Sequence, residues 1–466
     1  MNRTSTDNPE WNGVAMPRRV WAILAVAFGV SSSVISGAIV NIALPTFCVE
    51  MEVSSADSVW LVNSFQLATV MTLLIFSNLG DIIGYRRVYV AGLALFTLAS
   101  LGCALSTGFP MLVACRTCAG IGAAAVTSVN TTLIRIIYPR NRLARGLGLN
   151  ATIVAISSVI GPPLAAAVLS FASWHWLFAI NIPIGLAALA LSCSFLPANP
   201  VRAAGRRLDK LDCLLNALTF GLLIFSIEAF SHDVDATVVA VTLTATLVIG
   251  WFYVRRQLHK DMPLLPFDLL RIPIFSLSIL TSICSFTAQT LAMVSLPFIL
   301  QHNMGYSAVD TGLVLVAWPM VIMFIAPMAG RMVEHIHAGV LGVAGLAMMT
   351  AGLLALGLMP ERLSTFDIVW RLVLCGAGFG IFQSPNNSIM IASAPAARSG
   401  SASGMLATAR LLGQSSGAAM VAMLFHLCGG ETTALPMFVA AGFAGVGAIV
   451  SASRIRLPLP EGLQRG

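Results

Sequence analysis

The chain is organised by apolar runs. Stretches about as long as a bilayer is thick recur at about 19–45, 59–80, 88–107, 109–136, 145–170, 174–197, 213–232, 236–254, 273–300, 308–333, 339–359, 367–393, 402–428 and 434–453. Short polar segments between them hold most of the ionisable side chains. A helix of roughly 20 apolar residues spans the hydrocarbon of a membrane, so each run predicts a transmembrane helix. The pattern predicts an all-α polytopic membrane protein with about fourteen spans.

Composition removes the soluble alternatives. Of 466 residues, 57% are hydrophobic and 10% are charged, less than half the charged share of an average soluble domain. The charges are also sorted by side. Arg18 and Arg19, Arg86 and Arg87, Arg140, Arg142 and Arg145, Arg202, Arg206, Arg207 and Lys210, Arg255, Arg256 and Lys260, and finally Arg398, Arg454 and Arg456 fall on alternate loops and tails. The opposite loops hold Glu50, Glu52, Asp57, Asp233, Asp235, Glu361 and Glu431, with Arg362 as the clear basic exception. Basic loops stay on the cytoplasmic side, so both termini are expected there, which requires an even number of spans. This sidedness accounts for the net charge of +7, and no nucleic-acid partner is read into it.

The first apolar run is longer than a signal-peptide core and lacks a small-residue cleavage pattern, so it is expected to remain as a helix. Nine cysteines, an odd number lying mostly inside spans, show no CxxC or Cys/His spacing. They read as small core residues, with neither a disulfide framework nor a metal site. No nucleotide loop or nucleophile elbow supports an enzyme.

Two basic linkers, 198–211 and 255–272, bracket a pair of helices at 213–232 and 236–254. The expected organisation is a tail (1–18), a six-helix bundle (19–197), linkers with two extra central helices (198–272), a second six-helix bundle (273–453) and a second tail (454–466). SNLGDIIGYRR (77–87) and APMAGRMVEHIHAG (326–339) are a weak internal echo, as in transporters built from two related halves.

The most specific local feature is SNLGDIIGYRRVYVAG (77–92). Its glycines allow close backbone approach, Asp81 sits where a helix end meets water, and Arg86 and Arg87 supply a charge lock. A basic turn with a capping Asp is the plain alternative. The segment resembles the cytoplasmic loop signature of the major facilitator superfamily, at Asp81, Gly84, Arg86 and Arg87, with Ser77, Ile82 and Tyr85 departing from it. SWHWLFAINIPIG (173–185), SVWLVNSFQLA, LQHNMGYSAVDTGL, GFGIFQSPNNSIM and SGMLATARLLGQ resemble the fourteen-helix drug:proton antiporter branch, nearest the methyl viologen and quaternary ammonium exporters. GLNATIVAISSVIGPPLAAA (148–167) resembles that branch's fifth-span antiporter signature at Gly148, Gly161 and Pro162, while Ser157, Ala165 and Ala166 replace family glycines. ISGAIVNIALP (35–45) resembles its first-span signature, with Ser36 where the family usually has an Asp implicated in binding cations or protons.

The resemblance implies a proton-coupled exporter of amphipathic or cationic compounds in a bacterial inner membrane. It would work as a monomer by alternating access, with the proton gradient as its energy source and no cofactor. Arg116 matches the fourth-span Arg implicated in proton relay; the other reading is a snorkelling interfacial side chain. Arg410 is either a gating contact or a snorkel. Glu228 is the one clear intramembrane acid, and His232, four residues on, shares its helix face; the pair either relays a proton or is wetted at the outer interface. Asn41, Phe65, Gln66, Trp318, Phe382, Asn386 and Asn387 are polar or aromatic residues at apolar depth, where facing a cavity or packing between helices satisfies them. They are the substrate-cavity candidates. An exporter of an anionic or neutral metabolite, drawn by Arg116 and Arg410, is a second reading. A non-transporting sensor is a third, disfavoured by the short tails.

Overall fold

The computed structural model describes residues 13–139, 143–197, 209–229, 236–260, 267–333, 335–359, 364–393, 399–428 and 433–457. Among them every regular element is helical. The first half holds α1 (Arg18–Glu50), α2 (Ser55–Ser58), α3 (Trp60–Ile83), α4 (Tyr85–Ala104), α5 (Phe109–Ile137), α6 (Leu143–Phe171), α7 (His175–Ala179) and α8 (Asn181–Phe195). An accessory pair follows, α9 (Lys210–Ala229) and α10 (Ala236–Gln257), then the short α11 (Phe267–Leu270). The second half holds α12 (Pro273–Phe298), α13 (Ala308–Leu315), α14 (Ala317–Met332), α15 (Ala338–Gly357), α16 (Thr365–Ala392), α17 (Ser399–Leu427) and α18 (Leu435–Ser453). A π-helical turn, Ile299–Asn303, extends α12.

Packing repeats between the halves. α4 lies along α5 as α15 lies along α16, α3 packs on α5 as α14 packs on α16, and α1 bridges α6 and α8 as α12 bridges α17 and α18. The helix starts repeat too. Ser54 accepts from the Asp57 N–H at 3.0 Å ahead of α3, and Ser307 accepts from the Asp310 N–H at 3.1 Å ahead of α14. Ser364 treats Asp367 the same way at the start of α16. Each Ser closes an otherwise unpaired N–H, and each Asp faces the positive end of its helix.

Hydrocarbon gives helices no hydrophobic reason to associate, so they associate through close van der Waals contact between small residues. A Cβ on Gly122 would lie 2.6 Å from the Phe96 nitrogen and 2.7 Å from the Gly92 carbonyl of α4. In the second half a Cβ on Gly378 would lie 2.5 Å from the Gly345 carbonyl and 2.6 Å from the Met349 nitrogen of α15. Both meet backbone, which cannot yield as a flexible side chain does.

The halves join along α6 with α13, α3 with α17, and α1 with α12. At the first seam a Cβ on Gly312 would sit 2.8 Å from the Pro162 carbonyl. At the last, the Gln301 Nε2 donates to the Ile42 carbonyl at 3.2 Å.

α9 and α10 pack on each other, and α9 also packs against α3 and α17. Asn216 of α9 donates to the Met71 carbonyl of α3 at 2.9 Å and accepts from the Tyr253 hydroxyl of α10 at 3.2 Å. One end of the pair is clamped by charge. Arg256 bonds Asp209 at 2.6 Å and Asp212 at 2.7 Å, and Lys260 bridges the same two carboxylates. Lys260 above all, with Arg256 beside it, holds the Asp209 carboxyl well below the usual carboxylate range.

Twelve helices among the described residues are long and apolar enough to cross a membrane, counting α2 with α3, α7 with α8, and α13 with α14. The expected count of fourteen is not reached on that measure, and the two expected spans outside it are α9 and α17. α9 runs to the edge of the described residues. α17 carries Arg410, Gln414 and several Gly and Ser residues, and it is buried around most of its circumference. A helix enclosed by protein needs no lipid-compatible surface.

Two outcomes follow. Gly122→Ala is expected to lower thermal stability in detergent by about 1–3 kcal/mol, the usual cost of overpacking, whereas Gly148→Ala, with nothing within 4 Å of its new Cβ, should cause no loss. A depressed carboxylate stabilises above its ordinary pKa and stops doing so as pH falls through its folded value. The melting-temperature advantage of wild type over Asp209→Asn should therefore stay constant from about pH 8 to 5 and shrink only below about pH 4.

Candidate functional site

At the α3–α4 turn, Gly84 has φ +110°, a conformation L side chains rarely adopt. It reverses the chain in one residue, and its N–H returns to the Gly80 carbonyl at 3.0 Å. Tyr85 donates to Asp81 at 2.5 Å, and Arg86 donates to the Cys193 carbonyl at the end of α8. Arg87 is exposed. Of the four residues that match the loop signature, Asp81 and Arg86 thus engage neighbours within the first half, tying α3 to α4 and α4 to α8.

On α6, Gly161 meets Ala38 of α1, where a Cβ would come within 2.6 Å of the Ala38 Cβ. Pro162 presents its carbonyl to Gly312 across the seam between halves, and Gly148 lies in open space. Ser157, at a position where the antiporter signature has glycine, donates to Ser31 of α1 at 2.9 Å. A polar bond here replaces part of the close approach that glycine would allow.

Arg116 is 1% exposed, two turns inside α5. Its Nε donates to the Leu61 carbonyl of α3 at 2.9 Å and its Nη1 donates to the Ser36 hydroxyl of α1 at 3.0 Å. Its guanidinium lies 4.3 Å from the centre of the Phe65 ring. These partners are all neutral. Burying a cation without a counter-ion costs several kcal/mol, which neutral dipoles and an aromatic face offset only in part.

The cavity candidates separate into two groups. Asn41 and Gln66 are half-buried, and the side-chain carbonyl oxygen of each is buried without a hydrogen-bond partner among the described residues. Trp318 is wholly buried with its indole N–H unpartnered, and Arg410 is half-buried with its Nε unpartnered. Phe65 lies beneath Arg116. Phe382, by contrast, is enclosed in the second half against Phe379, and Asn387 is half-buried. Glu228 lies in the last turn of α9, but its side chain and all of His232 fall outside the described residues.

Asn386 belongs to a network that the sequence did not reveal. Arg454, completely buried at the end of α18, donates to the Asn386 side-chain oxygen, to Ser278 of α12 at 2.8 Å and to Ser451 at 2.7 Å. The Asn386 amide nitrogen then donates to Ser282 at 2.8 Å. One guanidinium thus ties α12, α16 and α18 together. In sequence Arg454 looks like one more basic residue at a cytoplasmic boundary; the one available signal is Ser451, a turn earlier on the same helix face.

Asn386→Ala would strip the buried Arg454 of its amide acceptor. We expect a stability loss of about 2–4 kcal/mol in thermal melts, against less than about 0.5 kcal/mol for Asn387→Ala.

Comparison with known proteins agrees with this architecture. The chain is 53% identical over 447 residues to YebQ, an uncharacterized transporter of Escherichia coli, covering 96% of this chain and 98% of that protein. It is 27% identical over 409 residues to the riboflavin transporter RibZ of Clostridioides difficile, covering 88% and 89% of the two chains. It is also 27% identical over 411 residues to the multidrug efflux pump LfrA of Mycolicibacterium smegmatis, covering 88% and 81%. The family model of the Major Facilitator Superfamily matches residues 26–418, and with two packed helical halves related as described, the chain belongs to that superfamily of membrane transporters.

Proposed function

We propose that this protein exports an amphipathic organic compound across the bacterial cytoplasmic membrane, driven by inward proton movement, through alternating access between its two halves. One observation carries the reading. Asn41 and Gln66 in the first half, and Trp318 and Arg410 in the second, hold buried polar atoms with no protein partner. Within a membrane no bulk water satisfies such atoms, and each costs free energy until a solute meets it. Their origin on both sides of the seam fits a solute bound between the halves.

The seams support the motion. α6 meets α13 through Gly312 against the Pro162 backbone, a contact of small groups that a tilt can break and remake. The sorting of basic loops favours both termini in the cytoplasm, and relatives named for efflux and export favour the outward direction. The monomer is the transporting unit. Glu228 is the acid for the proton step, with His232 beside it in sequence.

Everted membrane vesicles test this directly. Acidification of the lumen should drive accumulation of a range of amphipathic dyes, and Glu228→Gln should flatten the pH dependence of that uptake. Uptake indifferent to the pH gradient removes the proton coupling; an unaltered pH profile in Glu228→Gln removes Glu228 from it.

A further inference from the structure

The placement of charge along the helices bears on the substrate's own charge. Every carboxylate that falls in a helix lies within about a turn of its end, from Glu50 and Asp81 in the first half to Asp310 and Asp367 in the second, with Asp212 and Glu228 in the accessory pair. Arginines do lie deeper: Arg116, Arg371 and Arg410. Arg371 remains engaged near its helix start, donating to the Asp367 carbonyl at 3.0 Å and lying over Trp370. Arg116 and Arg410 are left well inside their helices, and neither meets a carboxylate among the described residues.

We infer that the transported compound supplies the missing negative charge: it is an amphipathic aromatic carboxylate whose anionic group pairs with Arg116 during the transport cycle. This rests on the exporter reading above and adds the sign of the substrate's charge. The Ser36 hydroxyl and the Leu61 carbonyl now occupying the guanidinium are neutral acceptors. A carboxylate in their place makes shorter, charge-assisted bonds. Phe65, stacked 4.3 Å from the guanidinium, offers an aromatic surface beside the charge. Next to it, Gln66 holds an unpartnered acceptor oxygen, as does Asn41, while Trp318 and Arg410 hold unpartnered donors. A ring system with its own donors and acceptors would satisfy such groups. A lipophilic cation would be repelled by the deep arginines among the described residues. The inside-negative membrane potential also pushes an anion outward, in the direction of export.

The test compares two xanthene dyes of opposite charge, fluorescein and rhodamine 6G, with the full-length protein in proteoliposomes. Wild type is expected to move fluorescein at least about tenfold faster than rhodamine 6G. Ser36→Asp sets a carboxylate where the serine hydroxyl now accepts from Arg116, neutralising it from within; fluorescein transport should fall about tenfold while rhodamine 6G transport holds or rises. Arg116→Gln should lose fluorescein transport and Arg116→Lys should keep part of it at raised KM. Should Arg116→Gln fail to fold, the dye preference and Ser36→Asp decide alone. Preference of wild type for rhodamine 6G, or undiminished fluorescein transport by a folded Ser36→Asp protein, overturns the inference and leaves the exporter reading standing. If wild type moves neither dye, the exporter reading is what fails, and fluorescence anisotropy of each dye with the solubilised protein then decides the charge question: no preference for fluorescein overturns it.

Discussion

A positive charge buried in a membrane protein must be answered by something, and two among the described residues are nearly or wholly buried and answered by neutral groups alone. Arg116 and Arg454 are 1% and 0% exposed. Arg454 is met by a serine, an amide and a second serine from three helices, and its position fixes how α12, α16 and α18 come together. Arg116 is met by a hydroxyl, a backbone carbonyl and a ring, and it fixes α5 against α1 and α3. Each guanidinium therefore gathers helices around it. Both guanidiniums draw on acceptors from more than one helix, and Arg454 also keeps a buried Nε without a partner among the described residues.

Around these hubs the halves are built alike, by glycine-mediated contact of α4 with α5 and of α15 with α16. Backbone touching backbone makes each half stiff. Between the halves the contacts are sparser: a glycine against a proline carbonyl, and a glutamine reaching a backbone oxygen. A stiff pair of units with a yielding seam is the mechanical condition for alternating access. The accessory helices are fastened to α3 by Asn216 and to each other by the four-residue charge clamp, so they ride on one side of the assembly without entering the seam that joins α6 to α13.

Much of this was legible in the sequence, because bilayer thickness writes itself into run length and membrane topology writes itself into the basic loops. The family was legible too, through short motifs around Asp81, Asn181 and Gly161. What the sequence hid follows a physical rule. Topology and burial both place an arginine near a span boundary, so Arg454 in the core and Arg456 beside it read the same. A polar residue at apolar depth such as Asn386 is satisfied equally by a cavity or by a neighbour, and only the fold names the neighbour. The paired Ser54-x-x-Asp57 and Ser307-x-x-Asp310 starts were on view, but an acid at a span boundary such as Asp57 serves topology and capping alike.

The distribution of acids also constrains coupling. When a carboxylate lies in the substrate path, proton and cationic substrate compete for one site, and each expels the other. Here the Ser36 position offers Arg116 a hydroxyl in place of a charge, and Glu228 belongs to the last turn of an accessory helix, α9. That helix packs on α3, α10 and α17, beside the α3–α17 seam and apart from the α6–α13 seam. Coupling through Glu228 would have to pass from α9 into α3 by way of contacts such as Asn216 to the Met71 carbonyl, changing the balance between the two arrangements of the bundle without touching the substrate. Such coupling is reciprocal: whatever the proton does to substrate affinity, the substrate does to the affinity of Glu228 for its proton.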